Sequence, residues 1–110
     1  MAAVEARLRM LLVPYEGLLE SATIHGIPTL RRPGAGAHDW FAFVKPAAKH
    51  VSLFLLPLHT DVGLRASLSP VLARALSVRS TLKFTSLDEV VAAEVATLLA
   101  RAYGGYAAAR

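Results

Sequence analysis

The stretch HDWFAFVKPAAKHVSLFLLPL, residues 38–58, decides the fold. It reads as two strands, at about 39–45 and 50–56, joined by the basic tip Lys45-Pro46-Ala47-Ala48-Lys49. Successive side chains of a strand point to opposite faces, so Val51, Leu53 and Leu55 share one face and Phe54 and Leu56 share the other. A sheet covered on one side alternates apolar with polar residues, whereas this hairpin is apolar on both. One face is therefore expected to lie under the chain's own helices. The second needs other cover: a helix, a twin subunit or a ligand. Trp40, with Phe41 and Phe43, reads as a contributor to the core, the alternative being a stacking wall for a ligand. Its indole N–H needs a partner if buried.

Upstream of the hairpin, Val4, Leu8, Leu11, Leu12 and Tyr15 fall at helical spacing and predict a helix over 2–13, ended by Pro14. Leu18 to His25 and Thr29 to Arg32 read as strands punctuated by Gly26 and Pro28, and Pro33-Gly34-Ala35-Gly36 reads as a loop. Downstream, Pro57 closes the strand because it has no N–H for the ladder. Ser69-Pro70 is a helix start, a capping hydroxyl before a proline suited to the first helical position, and predicts a helix over 70–77. Arg79 to Phe84 alternates again, with Arg79, Thr81 and Lys83 on one face and the two cations about 13 Å apart by strand rise. Ser86-Leu87-Asp88-Glu89 reads as a capping box. It is followed by the stripe Leu87, Val91, Val95, Leu98 and Ala102, and by a stop at Gly104-Gly105. The tail Tyr106 to Arg110 has no evident anchor.

The order is helix, four strands, helix, strand, helix. Short connections favour antiparallel pairing, so the expected fold is α+β: one antiparallel sheet of about five strands flanked by N- and C-terminal helices. The 110 residues carry no internal repeat or linker and read as one domain, 1–110, with an ordered core of about 2–104. A domain of this size buries roughly 60–70% of its unfolded surface.

The chain has no cysteine. That removes disulfide, iron–sulfur, zinc-ribbon and thiol-nucleophile chemistry and fits a reducing cytoplasm. No apolar run approaches the roughly 20 residues of a membrane span. Glu5, Arg7 and Arg9 sit within the first amphipathic helix, so a signal peptide is not expected. The net charge of +4 permits an anionic partner. Only 18% of residues are charged, and nine arginines to three lysines amid much alanine look like GC-rich coding.

Catalytic patterns are missing from the sequence. His25, His38, His50 and His59 are not spaced to present a zinc-binding pair on a helix. His38 and Asp39 are strand neighbours that point apart, and His59 with Asp61 reads as ordinary surface. There is no G-x-S-x-G elbow. Ser52 and Ser80 lie in strands, where hydroxyls bond locally. Gly34-Ala35-Gly36 lacks the strand-to-helix setting and Lys-Ser/Thr ending of a phosphate loop.

Three segments are similar, in order, to the YdhG-like domains, small bacterial proteins of unassigned activity. They are Ile24-His25-Gly26-Ile27-Pro28-Thr29-Leu30, the hairpin from Phe41 to Lys45 and Val51 to Leu58, and the unit from Ser69-Pro70 through Arg79-Ser80-Thr81-Leu82-Lys83-Phe84 to Leu87-Asp88-Glu89. The resemblance spans about residues 6–103. It implies a compact antiparallel sheet with flanking helices, distantly like frataxin, and one branch of the family is an intracellular iron chaperone. Two positions depart from the family pattern: Arg79 stands where lysine is usual, and Lys83 where a neutral polar residue is common. Iron handling needs oxygen ligands, and no cluster of the eight acidic residues precedes or follows the first strand.

The expected function is a non-enzymatic binding or interaction domain, a homodimer or the holder of a small anionic or apolar ligand on its sheet face, with no membrane partner and no assigned cofactor. The candidate contact residues are Trp40, Lys45, Lys49, Phe54, Arg79 and Lys83. The alternatives are an iron chaperone, by resemblance, and an anion or nucleic-acid binder using Arg31, Arg32, Lys45, Lys49, Arg79 and Lys83.

Overall fold

The computed structural model describes residues 2–24, 26–34 and 39–108, with only the backbone of Ile24. The expectations placed on His25, His38 and the Ala35-Gly36 part of the loop lie outside the described residues. The elements in order are α1 (Ala2–Glu16), β1 (Glu20–Ile24), β2 (Ile27–Arg31), β3 (Ala42–Pro46), β4 (Val51–Leu55), α2 (Pro57–Thr60), α3 (Val62–Ala66), α4 (Pro70–Ala75), β5 (Leu76–Ser77), β6 (Thr81–Phe84) and α5 (Glu89–Ala108). The strands form one antiparallel sheet of six in the order β1-β2-β3-β4-β6-β5. The fold is α+β as expected, with one strand more than expected. The extra strand, β5, is two residues long, too short for any periodicity to announce it.

Register explains the layering. Ala42 pairs with Leu55, Val44 with Leu53, Leu53 with Leu82, and Val51 with Phe84. These seven residues share one face and all are buried. Leu8 and Leu12 of α1, Leu58 of α2, Leu64 of α3, Leu72 of α4 and Val95, Leu98 and Leu99 of α5 close over them in one core. α1 packs on β3 and β4, α4 on β6, and α5 on α1, α2 and α4, which places the helices on one side of the sheet.

Several boundaries move. α1 runs through Pro14 to Glu16. Proline removes the hydrogen bond to the Met10 carbonyl, at a point where Met10 and Pro14 both face solvent. The first strand begins at Glu20 and the second at Ile27, and the helix at Pro70 ends at Ala75. Pro57 does close β4, and it also opens α2 as its first-turn proline. Asp61 then caps α3, accepting from the Leu64 N–H at 3.0 Å, so His59 and Asp61 do not lie in an extended segment. Ser69 caps α4 as expected, accepting from Leu72 N–H. The cap of α5 is Asp88 and not Ser86: its carboxylate accepts from Val91 N–H at 2.9 Å.

The C-terminal stop at Gly104-Gly105 is overturned, and with it the unanchored tail and the core limit at 104. α5 continues to Ala108, because Tyr106 is buried and held from far along the chain. Its hydroxyl accepts from Arg32 N–H at 2.9 Å and donates to the Asp39 carbonyl at 3.0 Å. The Arg32 guanidinium lies over its ring and is ion-paired with Asp39. Among the described residues, no helix is long and apolar enough to cross a membrane.

Candidate functional site on the open sheet face

The face turned away from the helices is built by the alternate residues of the same strands. Phe43 pairs with Phe54, Phe54 with Thr81, and Thr81 with Ser77, which makes a row across β3, β4, β6 and β5. The Phe43 and Phe54 rings are stacked, with centroids 4.4 Å apart and planes 9° from parallel. Trp40 adds a third ring, 5.0 Å from Phe43 and tilted by 56°. All three aromatics are half-buried, partly by one another, while the small residues Thr81 and Ser77 continue the row beyond Phe54.

The next row toward the β3–β4 tip is cationic. Lys45 pairs with Ser52, and Ser52 with Lys83. Both lysines are exposed, whereas Ser52 between them is buried. On the β1–β2 side the face is neutralised: Arg31 is ion-paired with Glu20 at 2.9 Å. Arg32 is engaged with Asp39 and Tyr106. Neither arginine is available as the nucleic-acid reading of the sequence required.

Of the six sequence-derived candidates, Trp40, Lys45, Phe54 and Lys83 come together on this face. Lys49 lies in the bend before β4, and Arg79 in the Val78–Ser80 turn, both exposed. Strand alternation does not reach Arg79, because β6 begins at Thr81. Its pairing with Lys83 on one strand face, and the spacing taken from it, do not hold. Phe43, expected in the core with Trp40 and Phe41, is the residue that joins Trp40 to Phe54. Phe41 does enter the core, against Tyr15, Tyr103 and Tyr106. The alternation that would separate Phe41 from Ala42 fails there: Phe41 precedes the strand, and both residues are fully buried. Pairing the halves about a tip at Lys45–Lys49 would set Phe43 against Val51; the turn actually closes from Ala47 N–H to the His50 carbonyl, which shifts the register and brings Phe43 to Phe54.

Two clefts lie away from this face. One, of about 420 Å³, lies between α1 and β1–β3, with Met10, Val13, Pro28 and Leu30 in its walls beside Arg9, Glu16 and Ser21, the arginine being ion-paired with Glu5. The other, of about 480 Å³, holds Arg32, Asp39, Asp61 and Tyr106. Its charged groups are engaged: Arg32 with Asp39, Asp61 with the start of α3. Burial pushes the Tyr106 hydroxyl above its ordinary value, and its proton is already donated to the Asp39 carbonyl. That constellation is a structural clamp. Among the described residues, no group of three or more histidine or acidic side chains is placed to hold a metal ion.

Compared with known proteins, the chain matches no family model, no curated protein and no solved structure.

Proposed function

We propose that this chain is a non-enzymatic binding domain that docks a flat, anionic ligand on the open face of its sheet. One observation carries the reading: the stacked row Trp40–Phe43–Phe54 lies on the face without helices, one strand repeat from Lys45 and Lys83. Exposed aromatic surface is costly in water unless something covers it. The adjacent lysines select the sign of that cover. They also oppose self-association through the same face. A twofold contact sets a patch against itself, and here it would crowd like charges around the aromatic row.

The resemblance to the YdhG-like domains is part of this proposal, supported by a sheet and helices arranged as that family would have them. A cytoplasmic setting is proposed with it, on the lack of cysteine.

Trp40 is the single tryptophan, so its emission reports on this face. Titration with anilinonaphthalene sulfonate, an aromatic anion, should quench Trp40 and brighten the dye, and Phe54→Ala should weaken both changes. Dye that neither brightens nor alters Trp40 emission removes the reading. A stable dimer that occludes Trp40 at working concentration also removes it, in favour of a second copy on this face.

A further inference from the structure

We infer that the ligand of the open face is single-stranded nucleic acid, its bases extending the aromatic row and its phosphates meeting Lys45 and Lys83. The inference rests on the proposed docking role of that face and names its occupant.

The stack supplies the first constraint. Phe43 and Phe54 are parallel within 9°, and such a stack is continued best by another planar π-system. Beyond Phe54 the row continues in small side chains, the buried Thr81 and the half-buried Ser77, so the aromatic surface left to a ligand is the exposed part of the rings themselves. At the other end Trp40 supplies a larger aromatic surface. Every nucleobase has a π-face, so such a row accepts bases without regard to sequence.

The offset of the cations is the second constraint. Lys45, Ser52 and Lys83 lie one same-face repeat from Phe43, Phe54 and Thr81, roughly 6.5–7 Å along the strands. That is of the order of the reach from a stacked base across its sugar to a backbone phosphate. Lys45 and Lys83 are two strand spacings apart, roughly 9–10 Å, which suits two phosphates of one chain better than one. Lys49, exposed at the hairpin tip, adds a cation on the lysine side of the row, whereas Arg79, exposed in the β5–β6 turn, lies at the opposite, Phe54 end of the strands.

Openness is the third. Small-molecule sites are concave and enclose most of the ligand, whereas this row is a sheet surface. A polymer gains affinity there by touching several points at once. A duplex does not fit, since its bases are stacked on each other and cannot splay onto aromatic side chains.

The test uses the full chain and fluorescein-labelled mixed-sequence oligonucleotides: single-stranded DNA, single-stranded RNA and duplex DNA. Anisotropy and Trp40 emission are read at about 50 and 200 mM salt. With two or three phosphates neutralised, single-strand affinity should fall roughly 7- to 20-fold between those salts. Phe54→Ala should weaken binding roughly 5- to 150-fold, the loss of one stacked base. The double variant Lys45→Gln/Lys83→Gln should flatten the salt slope by about 1.4 units. Both lysines are exposed, so this arm stands even if Phe54→Ala fails to fold. DNA and RNA arms that bind alike support the sequence-tolerant stack, and a preference for RNA supports it with an added contact to the 2′-hydroxyl. Duplex binding as tight as single-strand binding and insensitive to Phe54→Ala overturns the inference, leaving only diffuse charge. Dye binding at Trp40 with no oligonucleotide binding at low salt overturns it too, while keeping the docking face. Loss of both overturns the inference and the docking reading together.

Discussion

Replacing Tyr106 with phenylalanine removes one oxygen and keeps the ring, which isolates what that oxygen does. The hydroxyl joins two points remote in sequence, accepting from Arg32 N–H at 2.9 Å and donating to the Asp39 carbonyl at 3.0 Å. Tyr106 is 7% exposed, so water only partly replaces either bond. Leaving a buried donor and acceptor unpaired costs about 1–3 kcal/mol. With partial hydration at the cleft mouth, the expected loss for Tyr106→Phe is about 1.5–2 kcal/mol. For 110 residues the unfolding entropy is about 0.23 kcal/mol/K, so the melting temperature should drop by about 6–9 °C. The local consequence is testable in the same sample. The hydroxyl fixes the Asp39 carbonyl, and Trp40 follows directly, so Trp40 emission of the native state should shift. Urea unfolding followed by circular dichroism gives the stability. A melting point within about 1 °C of the parent, with native Trp40 emission unchanged, would refute the clamp and leave α5's passage through Gly104-Gly105 without a cause.

Val78, in the β5–β6 turn, has φ +50°, a left-handed conformation that a β-branched residue rarely adopts, and it is 76% exposed. Val78→Gly relieves about 1–2 kcal/mol of steric cost and restores about 0.5–1 of backbone entropy loss. The net of these two terms raises the melting temperature by up to about 6 °C, and a lower value in calorimetry contradicts the turn geometry. Burial raises the Tyr106 and Tyr15 hydroxyl values, with Tyr103 adding to the second. Above about pH 10 the unfolded chain therefore holds fewer tyrosine protons than the native one, and stability falls as pH rises through that range. Urea midpoints at pH 9 and 10.5 should show this fall, and the gap between parent and Tyr106→Phe should narrow at the higher pH; a constant gap rejects the assignment to Tyr106.

The strands and helices that were legible in the sequence are those whose periodicity survives tertiary packing. Leu8 and Leu12 on α1, the hairpin from Ala42 to Leu55, and the Ser69-Pro70 helix start all declare themselves locally. α2 and α3 have four and five residues, barely one turn each, and exist through Pro57, the Asp61 cap and the burial of Leu58 and Leu64. The end of α5 was not legible because local rules read Gly104-Gly105 as a stop. The Tyr106 clamp that overrides them joins residues 74 and 67 positions apart in the chain. Four of the site's five residues, Trp40, Lys45, Phe54 and Lys83, were legible for the same kind of reason. Two-sided apolarity marked the open face and Phe54 on it. The sorting of Phe41 inward and Phe43 outward depends on where β3 begins, and that is set by Phe41 filling the space between Tyr15, Tyr103 and Tyr106.

The rival account of the open face is a solvated sheet guarded by charge, and the two accounts divide the residues differently. Lysines beside a sheet suppress aggregation, so Lys45 and Lys83 alone do not discriminate. The aromatic residues do. A face with no partner is better served by polar side chains at positions 43 and 54, because a directly opposed pair such as Thr–Thr also supports cross-strand pairing without leaving apolar rings partly wet. Removing water from the exposed remainder of two phenylalanines and a tryptophan releases free energy on the scale of about 25 cal/mol per Å², and a monomer leaves that unrealised. Guarding explains why the face stays soluble, and cross-strand pairing of Phe43 with Phe54 accounts for their stack; the proposed planar partner adds a reason for Trp40 to join them. The two accounts separate at Phe54→Thr: a guarded face loses no function and keeps its stability within about 1 kcal/mol, whereas a docking face keeps its fold and loses its ligand.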